Sequence, residues 1–328
     1  MTLPLLPRRA CLPVLAALAA LALPEAVRAQ AWPERPLRLV VPYAPGAAAD
    51  ALARAVAERL GPQLGQTVVV DNRGGAGGTL GADNVAKSPP DGYSLVLGTD
   101  ATHATNHLVA RKFPYDPVKS FTPLVPAAVN HIVLVTHPSQ PFNTLKELIA
   151  YAKANPKKLS FGSSGPGSAH HLAGELLTEL AGIEMTHVPY KGGGPAITDL
   201  LGNNIPLVFA SLATARPHLE SGKLKALGVV EAQRFPGLPQ VPAIGETVPG
   251  YAIQSWFAFF GPAGLPPAVT ARLVSELNKA LEQPAVREAL AKNGMTPTGG
   301  RPEALAAFLQ TEISQRARLV KAAGIESE

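Results

Sequence analysis

Cysteine is almost absent from this 328-residue sequence, because its single copy, Cys11, lies near the N-terminus in a largely apolar stretch. The remaining chain has no cysteine, which excludes disulfides within it and thiolate chemistry. Cys11 follows Arg8-Arg9-Ala10 and precedes the apolar run, so the segment is not a lipoprotein attachment signal.

Apolar runs long enough to span a membrane are also lacking. The longest candidate, Leu12–Leu23, follows Arg8-Arg9 and is too short for a transmembrane helix, which needs about 20 apolar residues. A basic start, an apolar middle and small residues after it are typical of a signal peptide. We therefore predict that residues 1–31 direct export, with cleavage at Ala29 or Ala31, and that the mature protein is periplasmic. Sec and twin-arginine export both remain open, and Sec is favoured.

Charged residues make up only 16% of the sequence, and the formal net charge is +5. Without residues 1–31, 26 basic and 23 acidic residues remain, which gives a net charge of +3. There is no run of lysine or arginine, and aromatic residues make up only 5%. Because nucleic-acid surfaces combine basic patches with stacking aromatics, we expect no nucleic-acid partner.

Catalytic and metal-binding signatures are missing as well. None of the eight histidines lies in an HExxH motif. The segment Gly162–Gly165 is not a GxSxG nucleophile elbow, and no lysine precedes Ser168 as it would in a Walker loop. No acid–base pair stands out. The sequence therefore favours a binding protein over an enzyme, without a metal or a cofactor.

Strand and helix patterns alternate in two sets. The first runs from a strand at Leu37–Val41 to a strand at Tyr93–Gly98, and the second starts at Leu159. This β-α-β rhythm is typical of a mostly parallel sheet covered by helices on both faces. The proline-rich segment Pro114–Pro126 is interpreted as the connection to a strand at Ile132–Thr136.

The two sets predict an α/β fold with two lobes. We expect residues 32–130 to form the first part of lobe 1 and residues 131–254 to form lobe 2. Residues 255–328 would return to lobe 1 and supply the C-terminal helices. The two crossings between the lobes would fall near Val129–Ile132 and Gln254–Phe257.

Four loops follow predicted strands directly and lead into helices: 42–50, 72–81, 162–168 and 189–194. Ligands in open α/β sheets bind beyond the carboxyl ends of the strands. Free backbone N–H groups and the helix dipole favour an anion at such a junction. For any single loop, the turn preferences of glycine, proline, asparagine, aspartate and serine explain the composition without a ligand. Four of them at one sheet edge favour a cleft for a carboxylate.

Several side chains in these loops have both a structural and a ligand-binding interpretation. Asp50 could stabilise the first helical turn or accept hydrogen bonds from a ligand. Serines could donate to an anion or cap the following helix, and tyrosines could cover the cleft or be ordinary aromatics at the lobe edge. The candidate hydroxyl donors are Tyr43, Ser163, Ser164, Ser168 and Tyr190.

The glycine-rich loop 72–81 permits a second interpretation of the chain. Gly75–Gly81 fits GxGxxxG after a strand, which is compatible with an exported nucleotide-dependent enzyme. The spacing differs from the usual dinucleotide fingerprint, and a single match of this kind is weak evidence.

Ordered motifs along the mature sequence resemble the Bug family, the periplasmic solute receptors of tripartite tricarboxylate transporters. The resemblance covers essentially the whole mature chain. It is carried by Trp32-Pro33 with Pro36, Pro42-Tyr43-Ala44-Pro45-Gly46 with Asp50, Asn72-Arg73 with Gly75-Ala76-Gly77-Gly78, Pro90-Asp91-Gly92-Tyr93, Phe161-Gly162-Ser163-Ser164-Gly165 with Gly167-Ser168 and His171-Leu172, and Val188-Pro189-Tyr190-Lys191-Gly192 with Pro195-Ala196.

The resemblance implies a two-lobed Venus-flytrap fold that closes on a small organic carboxylate and delivers it to membrane permease subunits. In the family, loops matching 42–50 and 162–168 hold one carboxylate through backbone groups and bridging waters, while the stretch 189–192 contributes to selectivity. We expect the protein to be a monomer. The candidate ligand-binding residues are Tyr43, Gly46, Ala47, Ala48, Asp50, Asn72, Ser163, Ser164, Gly165, Ser168, Tyr190 and Lys191.

The first loop departs from the family pattern, which commonly has two glycines and then a hydroxyl residue before the aspartate. This sequence has Gly46-Ala47-Ala48-Ala49-Asp50, so the backbone at Ala47 is more restricted and Ala49 offers no hydroxyl. We expect backbone capture of a carboxylate to persist, while the identity of the ligand transfers less well. A receptor for a sensor kinase would have the same fold and a different partner.

Overall fold

The computed structural model describes residues 32–190, 192–322 and 324–325. The predicted signal peptide, residues 1–31, and the candidate ligand residue Lys191 lie outside these residues. Within the described part, no helix is both long and apolar enough to cross a membrane. All elements considered below belong to a compact unit that begins at Arg35.

Strands and helices alternate along most of this unit. The strands are β1 (Leu37–Val41), β2 (Val68–Asn72), β3 (Ser94–Thr99), β4 (Phe121–Asn130), β5 (Ile132–Thr136), β6 (Leu159–Ser163), β7 (Met185–Pro189), β8 (Leu207–Ser211), β9 (Lys225–Val229), β10 (Ser255–Pro262) and β11 (Met295–Pro297). The helices are α1 (Ala48–Leu64), α2 (Thr79–Ala86), α3 (Asn106–Val109), α4 (Leu145–Ala154), α5 (Ala169–Ala181), α6 (Gly193–Leu201), α7 (Leu212–Glu220), α8 (Pro267–Glu282), α9 (Pro284–Lys292) and α10 (Pro302–Ala322).

The strands form two sheets. The first has the order β11-β4-β10-β3-β1-β2, and the second has the order β7-β6-β8-β5-β9. β1 pairs in parallel with β2 and β3, and β6 pairs in parallel with β7 and β8, whereas β10 and β5 run antiparallel to both of their neighbours. The predicted α/β class is confirmed, with most strands of each sheet in one direction.

The four candidate loops do not lie at one sheet edge, which corrects the sequence-based expectation. The loops that begin at Pro42 and Arg73 follow the neighbouring strands β1 and β2 of the first sheet. Those that begin at Ser164 and Tyr190 follow the neighbouring strands β6 and β7 of the second sheet. The site therefore has to be built from two pairs of loops on two sheets.

The proline-rich segment is not only a connection, because its second half forms strand β4. Pro123 and Pro126 pair with Phe260 and Ala258 of β10, next to irregularities in the register. β11 covers only the last three residues of β4, so both prolines lie where β4 is an edge strand on its other side. An edge needs no N–H donor on its free side, which is why proline is tolerated there.

The C-terminal helix α10 contributes to the hydrophobic cores of both sheets. Leu305 and Leu309 pack with Val40, Val96 and Ala258 of the first sheet. Farther along the same helix, Leu319 and Val320 pack in the core that contains β6 and β8 of the second sheet. The predicted lobe limits at residues 130/131 and 254/255 remain a prediction, and α10 connects the two cores across them.

A buried ionic cluster lies in the middle of α10. The Arg316 side chain is 1% exposed, and its Nη2 atom lies 3.2 Å from Glu312 Oε2 and 3.7 Å from Asp100 Oδ2. The same atom donates to the Gln254 carbonyl, and Trp256 Nε1 donates to Glu312 Oε2 at 2.8 Å. Burial raises the pKa of Asp100, and Arg316 opposes that rise. The single guanidinium thus compensates two buried carboxyl groups.

Replacing Arg316 should therefore be costly. We expect Arg316→Met to lower the free energy of unfolding by about 3–5 kcal/mol, because it leaves Glu312 and Asp100 buried without a cation. Chemical denaturation measures the loss. Arg318→Met is the matched control, since Arg318 is an exposed arginine of the same helix and should change stability by less than about 0.5 kcal/mol. Equal stability of the two variants would contradict this account of the cluster.

Candidate functional site

The first loop connects β1 to α1 and leaves the start of that helix without a side-chain cap. Ala47 occupies the N-cap position in an extended conformation and has no side-chain acceptor to offer. Among the hydrogen bonds of the described residues, none uses the N–H groups of Ala48 and Ala49. By contrast, Thr144 caps α4 by accepting from the Glu147 N–H at 3.2 Å. The first turn of α1 thus keeps free donors near the positive end of its dipole.

Asp50 holds this loop in shape. Its carboxylate accepts hydrogen bonds from the Gly46 N–H at 2.9 Å, Arg54 Nε at 3.0 Å and Asn72 Nδ2 at 3.0 Å. Asn72 Nδ2 also donates to the Tyr43 carbonyl at 3.1 Å. Burial acts to raise the pKa of Asp50, but these hydrogen bonds outweigh it and the pKa lies below its ordinary value. The structure therefore gives Asp50 and Asn72 a bracing role.

The glycine-rich loop packs closely against the first loop. A Cβ atom on Gly81 would lie 2.6 Å from the Arg73 carbonyl oxygen and 2.9 Å from Pro42 Cα, so no larger residue fits without moving the backbone. A Cβ atom on Gly78 would likewise lie 2.8 Å from Thr102 Cγ2 and 3.2 Å from Pro42 Cβ. Asn106 Nδ2 closes the loop by donating to the Gly77 carbonyl at 3.0 Å. These glycines are explained by loop packing, without a nucleotide.

The third loop, between β6 and α5, is braced by its own serines. The Ser163 hydroxyl is fully buried, accepts from the Gly165 N–H at 3.1 Å and lies 2.6 Å from His187 Nε2. Ser168 Oγ donates to the Gly165 carbonyl at 2.7 Å and caps α5 by accepting from the His171 N–H at 3.2 Å. As at α1, no hydrogen bond of the described residues uses the first N–H of the helix, that of Ala169.

Histidines pack against the third loop and hydrogen-bond to it, a role that the sequence does not indicate for His187. His171 Nδ1 accepts from the Gly167 N–H at 3.1 Å, and its ring stacks on His187 at 3.6 Å between centroids. Burial lowers the pKa of His187 to about 3, with a smaller effect from His171. His187 is therefore neutral at physiological pH and adds no charge behind the loop. His187 lies on β7 and pairs with Phe161 of β6, a long-range contact that local sequence patterns do not show.

Both candidate tyrosines already have hydrogen-bond partners within the protein. The Tyr43 hydroxyl lies 3.1 Å from Thr99 Oγ1, and the Tyr190 hydroxyl donates to Asp199 Oδ2 at 2.7 Å. Burial raises the pKa of Tyr190 to about 12, and the Asp199 carboxylate acts in the same direction. The two rings can border a ligand, while their hydroxyl groups are engaged elsewhere.

A short helical segment lies between the loops of the two sheets. It consists of a π-helical stretch at Ala101–Thr105 followed by α3. On one side, Asn106 binds the glycine-rich loop. On the other, a Cβ atom on Gly167 would lie 3.5 Å from Val109 and 3.6 Å from Thr105, so the third loop touches the same segment. The structure thus brings the glycine-rich loop and the third loop against one common element.

With this geometry established, comparison with known proteins identifies the family. The model of the "Tripartite tricarboxylate transporter family receptor" matches residues 52–325. The chain belongs to this receptor family. A curated receptor-family relative, Protein BugT of Bordetella pertussis, is 36% identical over 300 residues, which cover 91% of this chain and 92% of that protein. The resemblance to Bug proteins is confirmed.

Solved structures of receptor-family proteins show the same fold. "R. palustris Rpa4515 with adipate" has a TM-score of 0.82 and 38% identity, with 90% of this chain and all of that one covered. MatC from Rhodopseudomonas palustris, "with bound malate", has a TM-score of 0.77 and 32% identity, with 88% of this chain and all of that one covered. The predicted two-lobed fold is confirmed, and this chain is a solute-binding receptor. Members of the family are periplasmic.

Asp50 provides a test of the loop structure through its pH dependence. Because its pKa is lowered on folding, its contribution to stability is present above its ordinary pKa of 3.8 and is lost as the pH falls through the lower folded value. We expect Asp50→Asn to lower the free energy of unfolding by about 1–3 kcal/mol at neutral pH.

The difference between Asp50→Asn and the wild type should narrow as the pH falls below that ordinary value. Urea denaturation at several pH values measures it. Glu58→Gln is the control, because Glu58 is an exposed carboxylate of the same helix. A difference that stays constant down to the acid limit would contradict the bracing role of Asp50.

Proposed function

We propose that this chain binds a small organic carboxylate between its first and third loops and delivers it to the permease subunits of a tripartite tricarboxylate transporter. The observation that carries the proposal is the pair of open helix starts. Ala48 begins α1 and Ala169 begins α5, and neither N–H has a partner among the described residues. Each start combines free donors with a positive dipole end, which suits an anion.

The binding proposed here rests on backbone groups more than on charged side chains. Asp50 is directed towards Arg54 and Asn72, and the Ser163 hydroxyl is buried in its own loop. Neither can turn towards a ligand without breaking bonds that hold the loop. Closure of the lobes would remove water from the carboxylate and strengthen its hydrogen bonds to the two helix starts. Tyr43, Tyr190 and Lys191 would border the rest of the ligand.

The ligands named for two relatives guide the choice of acid. Rpa4515 was solved with adipate and MatC with malate, and both molecules are dicarboxylates. We propose a dicarboxylate for this chain too, with one carboxylate at the helix starts and the other towards the loop after β7. We further propose that the exported protein is a monomer. We propose too that it is not an enzyme, because His171, His187, Ser163 and Ser168 are engaged in bracing the third loop.

Calorimetry and thermal unfolding with a panel of acids test the function. We expect at least one of adipate, malate and related dicarboxylates to stabilise the protein by about 2.7 kcal/mol at one hundred times its dissociation constant. The uncharged diamides are the matched controls and should have no effect. Stabilisation by NAD, NADP or ATP and indifference to every acid would instead support a nucleotide-dependent enzyme and overturn the proposal.

A single proline substitution tests the role of the backbone N–H at α1. Ala48 is the first helical residue, where proline is tolerated, and Ala47 has φ −72° and ψ 162°, a conformation that a following proline accepts. Ala48→Pro should therefore fold normally but bind the acid roughly 10- to 100-fold more weakly, because one hydrogen bond to a charged group is lost.

Ala48→Ser is the matched control, since it keeps the N–H and also suits a helix start. Calorimetry gives the two affinities, and circular dichroism checks that both variants are folded. Unchanged affinity in a folded Ala48→Pro variant would place the carboxylate away from α1.

A further inference from the structure

A chain of hydrogen bonds leads from the third loop to the junction between β4 and β5. Ser164 Oγ lies 2.7 Å from His170 Nδ1, and His170 Nε2 lies 3.3 Å from Ser211 Oγ. Asn130 Nδ2 then reaches both Ser211 Oγ at 3.2 Å and Ser255 Oγ at 3.3 Å. The predicted function assigned no role to His170, Ser211 or Asn130.

The Ser211 side chain does not cap the helix that begins after it. It is the N-cap residue of α7, where a serine hydroxyl ordinarily accepts a backbone N–H of the first turn, yet no such bond is made. Its hydroxyl faces Asn130 and His170 instead. Ser211 therefore connects Asn130 to His170 and does not cap the helix.

The direction of donation along the chain follows from Asn130. Its amide nitrogen has two hydrogens, and in this orientation both reach hydroxyl oxygens while Oδ1 is buried without a donor. The opposite orientation would instead leave both hydrogens buried without an acceptor. Ser211 therefore accepts from Asn130. Its own hydrogen then has one acceptor among the described contacts, His170 Nε2 at 3.3 Å, and this bond forms only when Nε2 carries no proton.

The position of the proton on His170 also determines the direction of the hydrogen bond to Ser164. A neutral imidazole without a proton on Nε2 carries it on Nδ1, and burial lowers the pKa of His170 to about 4, so the ring is neutral at physiological pH. His170 Nδ1–H then donates to Ser164 Oγ. The hydroxyl hydrogen of Ser164 is left free for another acceptor.

We infer that His170 is a positioning residue, held by Asn130 and Ser211 as the Nδ1–H tautomer, which turns the Ser164 hydroxyl into a donor for an anionic ligand oxygen. This inference rests on the proposed carboxylate function of the third loop. In the opposite tautomer, Ser164 would donate to His170 and present only lone pairs, which repel a carboxylate. The tautomer thus contributes selectivity for anions over neutral ligands.

The tautomer itself is measurable without a ligand. Nuclear magnetic resonance of protein labelled with ¹⁵N-histidine, at a pH of about 8, distinguishes the two ring nitrogens. We expect a protonated Nδ1 and an unprotonated Nε2 for His170. His137 is an internal control with the reverse pattern, because its Nδ1 accepts from the Ser139 N–H at 3.2 Å. The Nε2–H tautomer at His170 would overturn the inference whatever the protein binds.

Two substitutions connect the tautomer to binding. Ser164→Ala should weaken binding of the best dicarboxylate roughly 10- to 100-fold, while Ser164→Thr, which keeps the hydroxyl, should lose little. Asn130→Asp replaces the amide donor with an acceptor and should shift His170 to Nε2–H, with a similar loss of affinity. If the Asn130→Asp variant does not fold, Ser211→Ala is the alternative. This smaller change should give a mixture of the two His170 tautomers.

The outcomes separate this inference from the proposed function. If the wild type binds a dicarboxylate and Ser164→Ala binds it equally well, the function holds and the role of Ser164 and His170 is wrong. If the wild type binds no acid but His170 is the Nδ1–H tautomer, the hydrogen-bond order stands, while the carboxylate function and the ligand role inferred from it both fail. His137→Ala, remote in sequence from these loops, is the control for affinity and should change nothing.

Discussion

The first turn of α1 contains backbone N–H groups that a helix cannot satisfy from within, and among the described residues no other group accepts from those of Ala48 and Ala49. Ala47 has no side chain able to cap the helix. Asp50, which could have turned back onto those groups, is bound by Gly46, Arg54 and Asn72. Ala47, Ala48 and Ala49 thus leave the donors without a side-chain partner and add no other polar group.

The third loop also leaves the first N–H of its helix, that of Ala169, without a partner among the described residues. Its serines and histidines are polar, yet they hydrogen-bond within the loop and its supports, and the partly buried imidazoles of His170 and His187 stay neutral. These two rings therefore add no positive charge next to the loop. Because α10 packs in the cores of both sheets and the segment Ala101–Val109 contacts loops of both, the first and third loops belong to one connected structure.

Local sequence patterns predicted the alternation of strands and helices and the loops at the carboxyl ends of β1, β2, β6 and β7. They failed where distant residues decide the outcome. Prolines argued against a strand at β4, since its edge position depends on the short partner β11, about 165 residues away in the chain. The roles of His170 and His187 depend on β8 and β6 in the same way. Ligand identity was not predicted because the proposed binding groups are backbone N–H groups, which every residue except proline shares.

The central claim is that one carboxylate is held by backbone N–H groups at the starts of both α1 and α5. Residue-resolved amide hydrogen exchange of the free and acid-saturated protein tests this claim most directly. The account predicts that exchange at Ala48 and Ala169, whose N–H groups have no partner in the described part of the chain, slows markedly when a dicarboxylate is bound. Saturation with a tightly bound acid that leaves the exchange of both amides unchanged would contradict it.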